Sequence, residues 1–569
     1  MTAAVPGHRS GSGVSATGVS ATGVSATGVS ATGPGAPSGG QATPGLPIGP
    51  KPMPRRFHQA RWDEPIIFEL STPGARGVLP PATEPAITEV VGDPAAALPP
   101  GVRRAAPPAL PELSQLHVVR HYERLSQENL GVDLNVDVGQ GTCTMKYSPK
   151  VNDRLVRDHR LAELHPLQDP STVQGVLEIL WRLEQLLAEI SGMDRVTLQP
   201  GAGSAAIWTN VSMIRAYHAA RGDRARDEVI TTIFSHPSNA ACAKVAGYRV
   251  ITLYPDADGY PDLDALRAAV SPRTAALLIT NPEDTGIYNP RIADFVRVVH
   301  EVGGLAAYDQ ANANGLLGIT RARAAGFDLC HYNLHKTFST PHGSGGPGAG
   351  ACGVTTELAR FLPRPLVERG PDGFHLDDDR PHSIGKVRPW YGVAANLVRA
   401  YAWIMSLGAE GLREVAETAV LNNNYLMRRV LEIRGLAAPY ATGRRRIEQV
   451  RYSWEELARD TGVHSEEIGY RAADFGTHYW TSHHPYVVPE PMTLEPTESY
   501  SRADLDEYAA ILATIAEEAY RDPDLVRGAP YRSTIHHIDH EPLDDPARWA
   551  VTWRAYRRKH GADGAPPAP

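Results

Sequence analysis

Cysteine is scarce. The four present in 569 residues, Cys143, Cys242, Cys330 and Cys352, stand far apart and form no Cys-x-x-Cys or Cys/His spacing. That excludes a disulfide framework and a zinc site of the usual kind. No uninterrupted apolar run reaches the roughly 18 residues that a membrane-crossing helix needs. The N-terminus has neither the charged nor the apolar region of a secretory signal, so the expected compartment is the cytoplasm, with no membrane partner. Concentrated positive charge is missing too. Lys+Arg number 56 against 64 Asp+Glu, the net charge is -8, and no basic run is longer than Arg444-Arg445-Arg446. A nucleic acid is therefore not the main partner, because phosphate binding needs a concentrated positive face.

What is present belongs to a globular chain with 42% hydrophobic residues. Residues 1–50 are the exception, built from Gly, Ser, Ala, Thr and Pro with four successive Gly-Val-Ser-Ala-Thr copies from Gly13 to Thr32. Such a stretch has too little apolar surface to offset its ordering entropy and reads as a disordered, solvated tether. The Pro-rich run Pro80 to Pro111 reads as an extended arm over another surface. From Thr172 to Ile190 apolar residues recur at helical spacing. Beyond it, strands are expected at Val229 to Phe234, Val250 to Tyr254, Ala275 to Thr280, Leu305 to Tyr308 and Phe327 to Leu334. Helices are expected at Ala205 to Ala220, Leu263 to Val270 and Ile292 to Val302. This alternation predicts an α/β fold, a mostly parallel sheet with helices on both faces. Longer helices, Ala394 to Leu407 and Gly411 to Ile433, then begin a smaller α+β unit. The implied divisions are a tail 1–50, an arm and start of the body 51–150, a large domain 151–365, a small domain 366–525 and an extension 526–569.

Lysine is the scarce residue that carries chemistry, because only seven occur and Lys336 sits in an apolar, Gly-rich setting. Its segment is Asn333-Leu-His-Lys-Thr-Phe-Ser-Thr-Pro-His-Gly-Ser-Gly-Gly-Pro-Gly348, at the end of an expected strand. A partly desolvated lysine is suited to form an imine with an aldehyde cofactor, although a lysine snorkelling at a strand end has the same local pattern. Three features converge with it. Asp309 ends the strand Ala306-Ala-Tyr-Asp-Gln310 and is placed to pair with a protonated pyridine nitrogen, unless it is a turn or cap residue. Gln199-Pro-Gly-Ala-Gly-Ser-Ala-Ala206 precedes a helix and offers an anion seat at its N-terminus, with Gly203 and Ser204 in it. His236 follows a strand, where its ring can stack on a planar cofactor or serve structure alone. The order of turn, ring, acid and lysine matches pyridoxal-phosphate enzymes of the aspartate-aminotransferase fold type.

From about Pro65 to Ile515 the chain resembles the glycine dehydrogenase (decarboxylating) subunit 2 family, the pyridoxal-phosphate part of the glycine cleavage system P-protein. The segments that carry this are Asp63-Glu-Pro-Ile-Ile-Phe-Glu-Leu-Ser71, Arg120-His-Tyr-Glu-Arg-Leu-Ser-Gln127, Thr142-Cys-Thr-Met-Lys-Tyr-Ser-Pro149, His165-Pro-Leu-Gln168, the Lys336 stretch and Pro489-Glu-Pro-Met-Thr-Leu-Glu-Pro-Thr-Glu498. The resemblance implies Lys336 as the Schiff-base lysine, Asp309 as the pyridinium partner and His236 as the stacking residue. Gly203, Ser204, Asn239, Ala311 and His335 join them as cofactor-binding residues, and no metal is expected. It further implies decarboxylation of glycine and transfer of the aminomethyl group to lipoylated H-protein. The resemblance also implies a subunit 1 as a partner, and a homodimer or hetero-oligomer is expected.

Departures from the family pattern fall near the expected pocket. Ala205-Ala-Ile207 stands where His-Gly-Glu is usual, Asn281-Pro-Glu-Asp-Thr-Gly286 replaces Asn-Pro followed by Asn-Thr-Leu-Gly, and Gln310 replaces glycine. Ile207 removes an acid from the expected substrate side, and Glu283 and Asp284 add negative charge at the expected pocket mouth. These changes motivate an alternative, a divergent pyridoxal-phosphate enzyme acting on another amino acid by decarboxylation, oxidative deamination or carbon–carbon bond formation. A silent binding subunit is the reading from another class, and intact Lys336 and Asp309 argue against it.

Overall fold

The computed structural model describes residues 53–136, 138, 144, 146–342, 348–479, 487–537, 545, 549 and 552. The expected disordered tail lies outside the described residues, as do Thr142, Cys143, residues 343–347 of the Lys336 segment and most of the extension after 537.

The helix expected at Thr172 to Ile190 runs Gln174–Ser191 and buries Val176, Leu177, Leu180, Leu183 and Leu187, one stripe at spacings of one, three and four. It stops at Gly192, whose φ of 70° suits the left-handed cap conformation. Seven strands follow: β1 Arg195–Thr197, β2 Glu228–Thr232, β3 Arg249–Leu253, β4 Thr274–Thr280, β5 Leu305–Gln310, β6 Leu329–Asn333 and β7 Gly350–Val354. Their order across the sheet is β1-β7-β6-β5-β4-β2-β3. The five strands from β3 to β6 run parallel, while β7 is antiparallel to both β6 and β1. Every strand expected from apolar runs is present with ends shifted by a few residues, and β1 and β7 are additions.

Side-chain alternation divides the sheet between two cores. Leu277, Ile279, Ala306, Tyr308, Cys330 and Tyr332 face the Gln174–Ser191 helix, the helix Ile292–Glu301 and the start of Ala394–Val430. Ala276, Leu278, Leu305, Ala307 and Leu329 face the helix Gly203–Ala220, with Ala206, Ile207, Val211 and Ile214 against them, and Ala243 from the helix Ser238–Val245. By the same parity Asp309, His331 and Asn333 point to this second face, where the two helix N-termini lie.

The two long helices expected after residue 394 form one bent helix, Ala394–Val430, broken by non-helical Gly408. Gly408 has a φ of 66°, which a helix interior does not accommodate. Its second half packs with Arg502–Arg521 and a two-stranded ribbon, Val450–Ser453 with Pro491–Leu494, around Leu426, Tyr452, Trp454, Met492, Tyr508 and Leu512. The Pro80 to Pro111 run departs from the extended reading, since Pro85–Val91 is a short helix with no buried residue. Pro85 occupies its first turn, where a missing N–H costs nothing.

Candidate active site

Asp309 is the next-to-last residue of β5 and is 3% exposed. Asn239, in the first turn of Ser238–Val245, donates from Nδ2 to Asp309 Oδ2 at 2.8 Å, and the Ala311 amide donates to Oδ1 at 3.0 Å. The register pairs Asp309 with His331 on β6, and His331 Nε2 lies 3.2 Å from Asp309 Oδ1. The ring is not aligned as a hydrogen bond, and burial lowers its own pKa against the pull of Asp309. Burial pushes the Asp309 carboxyl up, yet His331, Asn239, the Ala311 amide and His236 outweigh it and hold the group below its ordinary value. The site therefore holds an ionised carboxylate inside the protein, ready for a cationic partner.

Lys336 follows β6 in a tight turn, with its amide donating to the Asn333 carbonyl at 3.0 Å and its side chain buried. The turn is held from several sides. The Ala313 amide donates to Thr337 Oγ1 at 2.9 Å, and Lys146 Nζ donates to the Thr337 carbonyl at 2.8 Å. Lys146 also pairs with Glu498 at 3.0 Å and lies 4.7 Å from the centre of the Trp403 ring. Burial lowers the Lys146 pKa against the pull of Glu498. Glu495 accepts from Thr144 at 3.0 Å and from Asn312 at 2.8 Å, reaching in from beside the C-terminal ribbon. Its pKa is pushed up to about 7 by burial, opposed by Asn312, Lys336 and Thr144.

His236 is half-buried, and its Nδ1 accepts from the Ser238 amide at 3.1 Å, which fixes the ring after β2. His335 has its Nδ1 2.9 Å from the Ala349 carbonyl oxygen and its ring edge-on to His342 at 4.9 Å. Burial depresses its pKa to about 4, so this ring is neutral at physiological pH. Ala311 acts through its amide on Asp309.

The stretch expected to seat an anion leads into the first turn of Gly203–Ala220. Ser204 Oγ lies 2.7 Å from Ser238 Oγ, bringing two helix starts together. Gly203 is required for space, since a Cβ there would stand 2.6 Å from Asn333 Nδ2. An amine, an ionised acid and an amide-and-hydroxyl seat thus share one sheet edge. That donor set fits pyridoxal phosphate: an aldehyde for Lys336, a pyridine nitrogen for Asp309 and a phosphate for the Gly203 turn.

Two expectations about the pocket are corrected. Glu283 and Asp284 do not charge its mouth: both are buried, Glu283 accepting from Thr232 and Asp284 paired with Arg451 at 2.8 Å. Burial pushes the Glu283 pKa up to about 8, so this acid is mostly protonated at neutral pH. Ile207 packs in the core beneath the sheet and does not line the substrate side. The sequence alone does not single out His331, Asn333, Ser238 or Glu495. Signals for three of them exist: His331 and Asn333 share one parity on the strand that leads to Lys336, and Glu495 lies in the family-like stretch Pro489 to Glu498.

Residues 415–526 match the family described as Glycine dehydrogenase, C-terminal domain, and residues 209–346 match Aminotransferase class-V. A protein of Pyrococcus horikoshii named probable glycine dehydrogenase (decarboxylating) subunit 2 is 45% identical over 504 residues, 88% of this chain and 98% of its own length. One of the same name from Halalkalibacterium halodurans is 44% identical over 84% of this chain and 96% of its own. Among solved structures, glycine decarboxylase (P-protein) of the glycine cleavage system, in inhibitor-bound form, superposes with a TM-score of 0.65 at 20% identity, covering 77% of this chain and 99% of that one. A sphingosine-1-phosphate lyase of Burkholderia pseudomallei gives 0.56 at 14%, over 76% and 96%. At these identities the two structures show the fold alone, and it is the expected α/β fold of type I pyridoxal-phosphate enzymes.

Proposed function

Because this chain belongs to the glycine dehydrogenase (decarboxylating) subunit 2 family, we propose that it binds pyridoxal 5'-phosphate through Lys336 and decarboxylates glycine. It then passes the aminomethyl group to lipoylated H-protein, with a subunit 1 as partner. The observation that carries this reading is the buried, ionised Asp309 near the end of β5 and the buried Lys336 in the turn after the neighbouring strand β6, at one edge of the sheet. When bound, the cofactor supplies an electron sink for the bond that breaks to release carbon dioxide.

The chain's own residues do the rest. Lys336 offers the amine that holds the aldehyde. Asp309 keeps a proton on the pyridine nitrogen, and Asn239, Ala311 and His331 hold Asp309 in the orientation and charge state that this needs. His236 offers a fixed ring as a stacking surface, and Gly203 and Ser204 supply amides to the phosphate. Glu495, with a pKa near neutrality and Lys336 within electrostatic reach, is a group able to take or return a proton. The alternative on another amino acid rests on the departures at Ala205 to Ile207, Asn281 to Gly286 and Gln310. Ile207, Glu283 and Asp284 are buried, Gln310 is buried with the strand parity of Ala306 and Tyr308, opposite to Asp309, and no specific contact favours it. Among the described residues no helix is long and apolar enough to cross a membrane.

Borohydride reduction of the cofactor-loaded protein is the test of the site. It is expected to leave pyridoxyl on the peptide containing Lys336. Label on Lys146, the other buried lysine of this site, or on no lysine, would overturn the assignment.

A further inference from the structure

The seat at the start of Gly203–Ala220 is polar but uncharged. Gly203, Ser204 and Ser238 bring amides and hydroxyls, and a helix N-terminus adds about half a positive charge. A phosphate monoester carries between one and two negative charges near neutral pH, so this seat alone leaves it under-compensated.

The guanidinium of Arg388 lies against the same turn. A Cβ on Gly201 would overlap Arg388 Nη1, and the neighbouring Val387 amide donates to Gln199 Oε1 at 3.4 Å, lacing the two segments together. Arg388 is half-buried and its Nε is shielded from water, yet its guanidinium has no hydrogen-bond or ion-pair partner among the described residues. The shielded Nε calls for an acceptor, because a guanidinium cannot shed its charge. On the other side of the turn Asn333 is 5% exposed, its side-chain amide has no hydrogen bond among the described residues, and its donor Nδ2 would stand 2.6 Å from a Cβ on Gly203. Two under-satisfied side chains from separate parts of the chain therefore converge on Gly201 to Gly203.

We propose that Arg388 is a phosphate-binding residue, its guanidinium neutralising a phosphate monoester seated on Gly203, Ser204 and Ser238. The guanidinium fork matches two phosphate oxygens at once, which an ammonium does not. Asn333 completes the seat, its side-chain amide donating to a third oxygen. Gly201 is then glycine for the same reason as Gly203: any side chain would displace the group that holds the anion. The inference rests on the reading of Lys336 and the Gly203 turn as a cofactor site.

The test uses the full chain with Arg388→Gln and Arg388→Lys, each first checked for an unchanged melting transition without ligand. Three titrations are read: pyridoxal phosphate and pyridoxal by imine absorbance, and inorganic phosphate by its effect on the melting temperature of the cofactor-free protein. Arg388→Gln is expected to weaken pyridoxal phosphate at least about tenfold, to leave pyridoxal unchanged and to abolish the phosphate effect. Arg388→Lys should recover part of the loss. Wild-type affinity for pyridoxal phosphate in Arg388→Gln would overturn the proposal. So would unchanged cofactor binding with a weaker spectral response to glycine, which assigns Arg388 to a carboxylate instead. If Arg388→Gln does not fold, Arg388→Lys decides the question by itself, since the loss of the fork must weaken the phosphate ester but not pyridoxal. A wild-type protein that takes up no aldehyde would overturn the Lys336 reading, while the inorganic phosphate titration still decides Arg388.

Discussion

Asp309 and Glu283 show how burial sorts carboxylates that look alike in sequence. Asp309 receives two hydrogen bonds beside His331 that outweigh its burial, so it stays charged, whereas burial, with Asp284 adding to it against Thr232 and Arg451, keeps the proton on Glu283. Asp309→Asn is expected to keep the cofactor bound but to raise the barrier by about 3 kcal/mol or more, roughly a hundredfold in turnover, because a neutral amide cannot keep the pyridine nitrogen protonated. Spectral titration with parallel rate measurement checks both halves. Glu283 contributes a pH dependence of opposite sign to a paired acid. Its folded pKa of about 8 stands above the ordinary value of 4.5, so the folded state retains a proton that the unfolded chain releases between them. Stability therefore falls as pH rises through that window. Glu283→Gln, which keeps a partner for Thr232, should give a shallower fall in melting temperature between pH 5 and pH 8 and a more stable protein at the upper end. The slope should not vanish, since Glu184 and Glu495 are also raised, to about 8 and about 7. Lys336 and Asp309 were legible in the sequence because lysine is scarce and an acid ending an apolar strand is unusual. The charge state of Glu283 was not, because nothing local says whether Asn281-Pro-Glu-Asp284 faces water or Arg451.

At the scale of elements, the turn that bears Lys336 is supported by Lys146 from 191 residues away and by Glu498 from beyond the C-terminal ribbon. Removing the charge from one side leaves a shielded partner, so Lys146→Met should destabilise by about 3 kcal/mol, and Lys146→Met with Glu498→Leu should recover much of it. Denaturant melts of the single and double variants measure this, and an additive pair would mean that the two side chains do not couple. The parallel strands were legible because each is a short apolar run between helices. β1 and β7 were not: β1 has three residues, and β7 is Gly-Ala-Cys-Gly-Val, whose burial depends on neighbours instead of its own hydrophobicity. The Gly408 bend was visible as a gap between two expected helices, although not as one continuous element. His331 became visible as Asp309's neighbour only with the register of β5 on β6, which no local pattern encodes.

Over the whole molecule, the chain separates a tail with almost no side chain able to pack from a body that carries all the residues of the candidate site. Removing residues 1–45 is therefore expected to leave the melting temperature and cofactor uptake unchanged, and a large fall in either would show that the repeats support the body. The chemistry of the loaded body is tested most directly by the exchange of labelled bicarbonate into the carboxyl group of glycine, with lipoylated H-protein and subunit 1 supplied. Exchange that requires Lys336 and H-protein is the predicted result. Silence with glycine, together with a spectral response of the bound cofactor to a different amino acid, would contradict it.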